Sequence, residues 1–183
     1  ECVLHEAPGA VVPEVDAEVQ RLCDTFDTNL IDAYFSNDSP LDYIDKSLPG
    51  KIEQLRVHDI RIALNTGYPK HIQEPIIKAL HLDELVDGYI SSGEVRRGRP
   101  YPYMIHQLME RFSIVSTKEV IKVGDSSNDI LEGLHAGCLA SIGVTTGAED
   151  AEALYAAGAK MVIESVMDIH PVCEHTVAIQ SIS

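Results

Sequence analysis

The segment 120–138 constrains the fold of this chain more than any other part of the sequence. Its first four residues form a short, mostly apolar run that Gly124 ends, which is typical of a strand in a buried parallel sheet. Ser126 or Ser127 can cap a helix after this strand, and Gly137 can end that helix. A strand followed directly by a capped helix indicates an α/β sheet, in which ligands bind beyond the carboxyl ends of the strands.

Two carboxylates stand where this strand meets the helix. Asp125 follows the strand directly and Asp129 comes four residues later, so both side chains can face the same volume above the sheet. Carboxylate and water oxygens suit a hard divalent cation such as Mg²⁺. The alternative is that both are ordinary acids at a helix start, where the helix dipole favours negative charge.

The composition argues against several classes of function. The chain has 183 residues, enough for one domain or one domain with a small appendage, and 45% of them are hydrophobic. Its formal net charge of −15 argues against partners such as nucleic acid or an anionic membrane. Four scattered cysteines without a CxxC pair, and no signal peptide or membrane-spanning run, predict a cytoplasmic protein without a disulfide framework.

From residue 60 onward, strand and helix patterns alternate, which predicts an α/β fold with a doubly wound parallel sheet. Residues 1–57 are predicted to be all-helical and to form a separate helical element. We expect Pro49 and Gly50 to interrupt one helix of this element, and Pro75 to kink or restart a later one. The predicted strands cover residues 60–65, 89–91, 120–123, 139–144 and 160–163. The other predicted helices cover residues 15–35, 41–57 (with 50–58 as a separate piece), 69–82, 101–112, 149–157 and a short helical tail after 163.

A second strand end offers groups that can hold an anion. Thr66 and Gly67 follow the predicted strand 60–65, at the same kind of carboxyl end as Asp125. The Thr66 hydroxyl and the backbone N–H groups of the two residues can each bind one anionic oxygen. The alternative is that Thr66 simply caps the next helix.

A third candidate lies in a loop where the local charge is reversed. Arg96, Arg97 and Arg99 crowd together in a chain that holds only 14 basic residues. Pro100 and Pro102 stiffen the backbone after Arg99, and a rigidly placed guanidinium matches the geometry of a phosphate. The alternative is a solvated basic turn, which is the interpretation we favour for Arg96 and Arg97.

Together these strand ends supply a hydroxyl, a guanidinium and two carboxylates, which is the donor set of a metal-assisted phosphoryl site. The motifs Asn-Thr-Gly at 65–67, Gly-Arg-Pro-Tyr-Pro at 98–102 and Gly-Asp-Ser-Ser-Asn-Asp at 124–129 resemble the second, third and fourth motifs of the haloacid dehalogenase (HAD) superfamily. Arginine followed by Pro-x-Pro, together with Thr-Thr-Gly-Ala at 145–148, is similar to the phosphonatase-like (phosphonoacetaldehyde hydrolase-like) subgroup.

The resemblance implies a Rossmann-like, doubly wound parallel sheet with a partial helical cap. Residues 1–57 would be a cap portion and lead-in, and residues 58–183 the α/β core. It also implies a hydrolase that uses Mg²⁺ and cleaves a C–P or phosphate-ester bond of a small phosphorylated or phosphonate metabolite through an aspartyl-phosphate. A homodimer is a further expectation.

The resemblance also assigns roles to the residues that match the motifs. Thr66, Gly67 and Arg99 would bind the substrate, and Thr66, Arg99 and Asp129 would act in catalysis. Asp125 and Asp129 would support the metal, with orientation of Arg99 as the alternative role of Asp129.

The first motif of the family, an Asp nucleophile at the end of a strand in an Asp-x-x-Gly-Thr setting, has no convincing match. Asp24 and Thr28 have the spacing, but they lie inside a predicted amphipathic helix and lack the glycine. We therefore expect the chain as given to be inactive. We also expect either a gap between the strands that begin near Ile60 and Val120, or another segment or chain filling that gap.

Other candidates are weaker. A Schiff-base lysine is expected in phosphonatases, and the contexts of Lys46 and Lys51 do not match it. His170, Cys173 and His175 form a loose cluster without a fourth zinc ligand nearby. The alternatives to a phosphonatase are a phosphoglycolate or sugar-phosphate phosphatase and, in another class, an inactive fragment or pseudoenzyme that binds anions or a partner.

Overall fold

The structure is a computed structural model that describes residues 13–36, 41–43, 45–169 and 177–181. The chain divides into two compact units, Glu1–Leu41 and Asp42–Ser183. The first unit contains helix α1, Pro13–Phe35, which agrees with the helix predicted over 15–35. No α-helix in the described ranges is both long and apolar enough to cross a membrane.

The second unit has alternating helices and strands over most of its length. Its α-helices are α2 Leu48–Val57, α3 Lys70–Ala79, α4 Leu82–Leu85, α5 Tyr103–Arg111, α6 Ser127–Ala136 and α7 Ala151–Ala156. Its strands are β1 Ile62–Thr66, β2 Gly88–Ser91, β3 Val120–Gly124, β4 Ala140–Val144, β5 Met161–Ile163 and β6 Val177–Ser181. Short 3₁₀ helices cover Ser92–Glu94, Thr117–Glu119 and Val166–Asp168.

The strands form one parallel sheet in the order β2-β1-β6-β3-β4-β5. Buried side chains of α5 and α6 pack on one face of this sheet, against Ala63 and Val120. Buried side chains of α2 and α3 pack on the other face, against Ile62 and Leu64. Helices therefore cover both faces, and the predicted α/β fold with a doubly wound parallel sheet is confirmed.

The centre of the sheet contains a strand that the sequence analysis did not predict. We expected only a short helical tail after residue 163. A 3₁₀ helix covers Val166–Asp168, but Val177–Ser181 then forms β6, which lies between β1 and β3 and pairs with both. The strand was missed because its run of apolar residues is short, and because its partners lie far away in the sequence. The expectation that another segment fills the gap between these two strands is confirmed.

The prolines affect the helices less than the sequence predicted. We expected Pro49 to interrupt a helix running over 41–57, but residues 45–47 form a bend and a turn, and α2 begins at Leu48 with Pro49 in its first turn. Proline is tolerated there because the first N–H groups of a helix have no partner within it. Helix α3 continues through Pro75, so the predicted restart did not occur, while the alternative of a kink there stays a prediction.

Helix α2 packs into the core of the second unit. Ile52 and Leu55 are buried in the same hydrophobic cluster as Ile62 and Leu64 of β1. The predicted division into a cap portion over 1–57 and a core over 58–183 stays a prediction.

Cys138, in the loop after α6, and Cys23, on α1, differ in burial and should therefore differ in reactivity. Cys138 packs against the cluster on the α5–α6 face, and burial raises the pKa of its thiol to about 11, whereas Cys23 on α1 is exposed. Because the thiolate is the reactive form, we expect alkylation of Cys138 at pH 8 to be at least about 10-fold slower than that of Cys23. Mass spectrometry of the modified peptides over time measures both rates, and equal rates would contradict this prediction.

Candidate active site

The candidate site lies where β1, β3 and β4 end at the same edge of the sheet. β1 ends at Thr66, β3 at Gly124 and β4 at Val144, and the strands are parallel. The turns after them therefore meet at the carboxyl edge, which is where open α/β sheets bind ligands.

The turn after β1 holds Thr66 and Gly67. Thr66 is fully buried, and its Oγ1 accepts a hydrogen bond from the N–H of Tyr68 at 3.2 Å. The Ser92 hydroxyl donates to the Gly67 carbonyl at 2.7 Å, which ties this turn to the turn after β2. The N-cap of α3 is Pro69, so Thr66 does not cap that helix.

Arg99 extends from the loop before α5 into this turn. Its Nη1 donates to Asp129 Oδ1 at 2.5 Å, and its side chain is 14% exposed while that of Asp129 is fully buried. A Cβ placed on Gly67 would lie 3.0 Å from Arg99 Nη2, so the guanidinium rests directly on the turn. The predicted guanidinium and the predicted anion-binding turn are therefore neighbours.

The other two arginines of the loop have different surroundings. Arg96 and Arg97 are both exposed. The Arg97 guanidinium lies 5.0 Å from the centre of the Tyr101 ring, and its Nη1 donates to the Tyr101 hydroxyl at 3.0 Å. This stacked surface arrangement agrees with the interpretation of Arg96 and Arg97 as part of a solvated turn.

The loop that carries Arg99 is anchored to the opposite side of the site. The Arg99–Pro100 peptide bond is cis. His135, in the last turn of α6, donates from Nδ1 to the Pro100 carbonyl at 2.7 Å. The backbone beside Arg99 is thus fixed to the same helix that carries Asp129.

The start of α6 fixes the Asp129 carboxylate. Ser126 is the N-cap, and Gly137 ends the helix in the left-handed conformation with φ of 75°, as the sequence predicted. The Ser126 hydroxyl donates to Asp129 Oδ2 at 2.7 Å, while Asp129 Oδ1 accepts the hydrogen bond from Arg99 Nη1. Both carboxylate oxygens therefore accept hydrogen bonds from the protein, an arrangement suited to orienting Arg99.

Asp125 has a different setting, at the end of β3. It is 8% exposed, and its Oδ2 accepts from the N–H of Ala148 at 2.9 Å. The Glu149 N–H donates to the Asp125 carbonyl at 3.1 Å. A Cβ on Gly147 would overlap the Asp125 carboxylate, so the loop after β4 packs tightly against it. This loop was missed as part of the site, although its position after a predicted strand end could have revealed it.

Within the described part of the chain, no group of three or more His, Cys, Asp or Glu side chains lies close enough together to hold a metal ion. Mg²⁺ is commonly held by one or two carboxylates, waters and substrate phosphate oxygens. Asp125, predicted as a ligand of Mg²⁺, accepts a hydrogen bond from the Ala148 N–H. Asp129, predicted to share the metal, is instead engaged by Arg99 and Ser126.

A buried polar network behind the site was not predicted. Lys122 in β3 is fully buried, and its Nζ donates to Asn65 Oδ1 at 2.7 Å. The same Nζ lies 3.1 Å from an oxygen of Asp129 and 3.1 Å from one of Glu132. A lysine inside an otherwise apolar strand is the sequence signal that could have revealed this network, because lysine is almost never fully buried unless it is paired.

The structure describes two of the remaining candidates, Asp24 and Lys46. Asp24 is exposed on α1, where it accepts from Gln20 Nε2 at 2.8 Å. Lys46 is exposed and forms an ion pair with Asp42 at 3.5 Å. His170, Cys173 and His175 lie outside the described residues.

Comparison with known proteins identifies relatives of this chain. It is 34% identical over 137 residues to the phosphonoacetaldehyde hydrolase of Lysinibacillus sphaericus, covering 74% of this chain and 49% of that protein. It is 36% identical over 107 residues to the phosphonoacetaldehyde hydrolase of Parabacteroides distasonis, covering 56% of this chain and 40% of that protein. The chain thus spans about half the length of the curated relatives it matches.

A solved structure shares the fold. The phosphonoacetaldehyde hydrolase-like protein from Oleispira antarctica superposes with a TM-score of 0.70 at 23% identity, covering 85% of this chain and 63% of that one. The family model of haloacid dehalogenase-like hydrolases matches residues 16–137, which is more than half of the chain and includes the motifs around Thr66, Arg99 and Asp125. On this evidence the chain belongs to the haloacid dehalogenase-like hydrolase family.

Proposed function

We propose that this chain supplies the phosphate-binding and metal-binding parts of a hydrolase that acts on a small phosphonate or phosphorylated metabolite. Phosphonoacetaldehyde is the first candidate substrate, because the relatives named above are phosphonoacetaldehyde hydrolases. The observation that carries the proposal is the Arg99 guanidinium, which rests on the Gly67 turn and binds the buried carboxylate of Asp129.

In this proposal Arg99 balances the negative charge of the phosphoryl group. The Thr66 hydroxyl and the backbone N–H groups of the turn bind phosphoryl oxygens. Asp129 holds the guanidinium in place, so the positive charge needs little rearrangement when charge develops in the transition state. Asp125 would hold Mg²⁺, which neutralises phosphoryl charge when it is bound.

The nucleophile of this reaction would be an aspartate that attacks phosphorus and breaks the C–P or P–O bond, so that the leaving carbon or oxygen takes up a proton. Water would then hydrolyse the aspartyl-phosphate, which releases phosphate and returns the free aspartate. The slot between β1 and β3, where the family resemblance puts the strand carrying that aspartate, contains β6. The sequence of β6, Val-Ala-Ile-Gln-Ser, has no carboxylate. We propose that the attacking carboxylate is not supplied by residues 1–183.

β6 also favours a second candidate function. In this second function, the strand at the centre of the sheet carries no nucleophile. The chain would then bind phosphate without hydrolysing phosphate esters. We expect residues 1–183 with Mg²⁺ to bind inorganic phosphate and not to turn over phosphonoacetaldehyde or an aryl phosphate. Robust Mg²⁺-dependent turnover by this chain alone would refute this second function and direct attention back to Asp24.

A pair of arginine variants tests the phosphate site. Arg99→Met is expected to weaken binding of inorganic phosphate by about 10-fold, because a charge-assisted contact is lost. Arg97→Met, in the same loop but at the surface, is the matched control and should change the Kd by less than about 2-fold. Isothermal titration calorimetry on the folded chain measures both. Equal effects of the two changes, or no phosphate binding by the unmodified chain, would refute the proposed site.

A further inference from the structure

The buried network behind Arg99 is placed to control that arginine. We propose that Lys122 is a positioning residue that fixes the Asp129 carboxylate and, through it, the Arg99 guanidinium. The inference rests on the proposed function, in which Arg99 is the phosphate ligand.

Three acceptors surround the Lys122 ammonium. Nζ donates to Asn65 Oδ1 at 2.7 Å and lies 3.1 Å from Asp129 Oδ1 and 3.1 Å from Glu132 Oε2. An ammonium has three protons, so these acceptors match its donors. All four side chains are fully buried, which leaves the ammonium little freedom to turn toward water.

Glu132 is held from its other side by Asn65. The Asn65 Nδ2 donates to Glu132 Oε1 at 3.0 Å and to Oε2 at 2.8 Å. The carboxylate is therefore fixed by an amide and an ammonium at once. It provides Lys122 with a second anionic partner besides Asp129.

Asp129 Oδ1 is shared between two cations. Arg99 Nη1 lies 2.5 Å from it and Lys122 Nζ 3.1 Å from it, so the lysine makes the longer contact. Glu132 is the second anion beside the ammonium and, with Asn65, holds it in place next to this oxygen. Without the Glu132 charge, the ammonium would lose one of its two anionic partners, and the Asp129 carboxylate that it contacts would be less firmly fixed.

The network also spans the central strand. Asn65 belongs to β1 and Lys122 to β3, and β6 lies between these two strands. The hydrogen bond between the two side chains thus joins the strand that ends at Thr66 to the strand that precedes Asp125. A substitution of Lys122 is therefore expected to shift residues at both strand ends of the candidate site.

The experiment follows Arg99 directly by NMR, in a chain labelled with ¹⁵N-arginine. The Nε–H signal of Arg99 is assigned by its loss in Arg99→Lys. In Glu132→Gln, which keeps the side-chain size, we expect hydrogen exchange at this group to be at least about 10-fold faster than in the unmodified chain. Exchange that is unchanged in folded Glu132→Gln would overturn the inference.

Ser141→Ala is the matched control for a general loss of packing. Ser141 is buried under α6, where its hydroxyl donates to the Ile130 carbonyl at 3.0 Å, and it is not a member of the network. We expect this change to leave Arg99 exchange within about 2-fold of the unmodified value. Faster exchange of equal size in both variants would show that Glu132 acts only through the fold, and would overturn the inference.

A second variant keeps the test valid if Glu132→Gln does not fold. Lys122→Gln combined with Glu132→Gln removes one positive and one negative charge, so the net charge of the network stays the same. It also removes the ammonium beside Asp129, and we again expect at least about 10-fold faster Arg99 exchange. Unchanged exchange in the folded double variant would overturn the inference.

Phosphate titration separates this inference from the proposed function. Faster Arg99 exchange with about 10-fold weaker phosphate binding in Glu132→Gln supports both. Faster exchange with no phosphate binding by the unmodified chain supports the positioning role and refutes the proposed function. Normal phosphate binding by Glu132→Gln with unchanged exchange refutes the positioning role alone.

Discussion

Replacing Ile179 with proline is expected to lower the free energy of unfolding by at least about 3 kcal/mol, because β6 is an inner strand. In β6, Ile179 pairs with Ala63 of β1 on one side and with Lys122 of β3 on the other. Each backbone N–H of an inner strand faces one of its two neighbouring strands, so proline removes a ladder hydrogen bond and its ring adds a clash. Urea unfolding followed by far-UV circular dichroism measures the loss.

The matched control is Met161→Pro. Met161 is the first residue of β5, which is an edge strand, and it is more than half exposed. Proline is tolerated at the first position of an edge strand, so the loss should stay below about 1 kcal/mol. A loss as small for Ile179→Pro as for Met161→Pro would show that β6 does not hold the centre of the sheet in solution.

The second large effect is expected at Gly133, in the middle of α6. A Cβ there would overlap the Ser141 hydroxyl and lie 2.7 Å from Lys122 Cβ, because α6 packs directly on β3 and β4. Adding a methyl group to a filled interior forces shifts of side chains or backbone, so Gly133→Ala should cost about 1–3 kcal/mol. Thermal and urea unfolding measure this change.

Gly50→Ala provides a control of opposite sign. Gly50 also lies in a helix, α2, but a Cβ there would have no atom within 4 Å. Alanine loses less conformational freedom than glycine when it folds, so this change should stabilise the chain by about 0.5–1 kcal/mol. Stabilisation by both changes would mean that α6 lies farther from the sheet than the structure places it.

The sequence predicted the elements whose patterns are local. β1, β3 and β4 are short runs of buried residues that end in polar or glycine-containing turns, so their positions and their carboxyl ends could be predicted. The groups that meet at these ends, Thr66 and Arg99 among them, followed from the rule that parallel strands end at the same edge. The Arg99 contact with Asp129 was one of the alternatives that the family resemblance offered.

The features of the structure that could not be predicted depend on contacts between residues that are far apart in the sequence. Lys122 and Glu132 carry charges that normally face water, and nothing in their local sequence indicates that each is buried against the other. β6 has the pattern of a single short strand, and only its pairing with β1 and β3 gives it a central position. Pairings of this kind are set by tertiary packing, and local propensity does not determine them.

The central position of β6 also affects how the chain folds. Its partners in β1 lie more than half the chain length earlier in the sequence, as the pairing of Ile62 with Ala178 shows. The strands within the pair β2-β1 and within the group β3-β4-β5 are closer to one another in the sequence, so each set can form first. Joining the two sets through β6 requires closure of a long loop of chain. Arg99 follows the first group, and Asp129 lies between β3 and β4 of the second. We therefore expect their contact to reach its final length only in this late, slow step. Recovery of phosphate binding after dilution from urea should therefore lag behind recovery of helical signal.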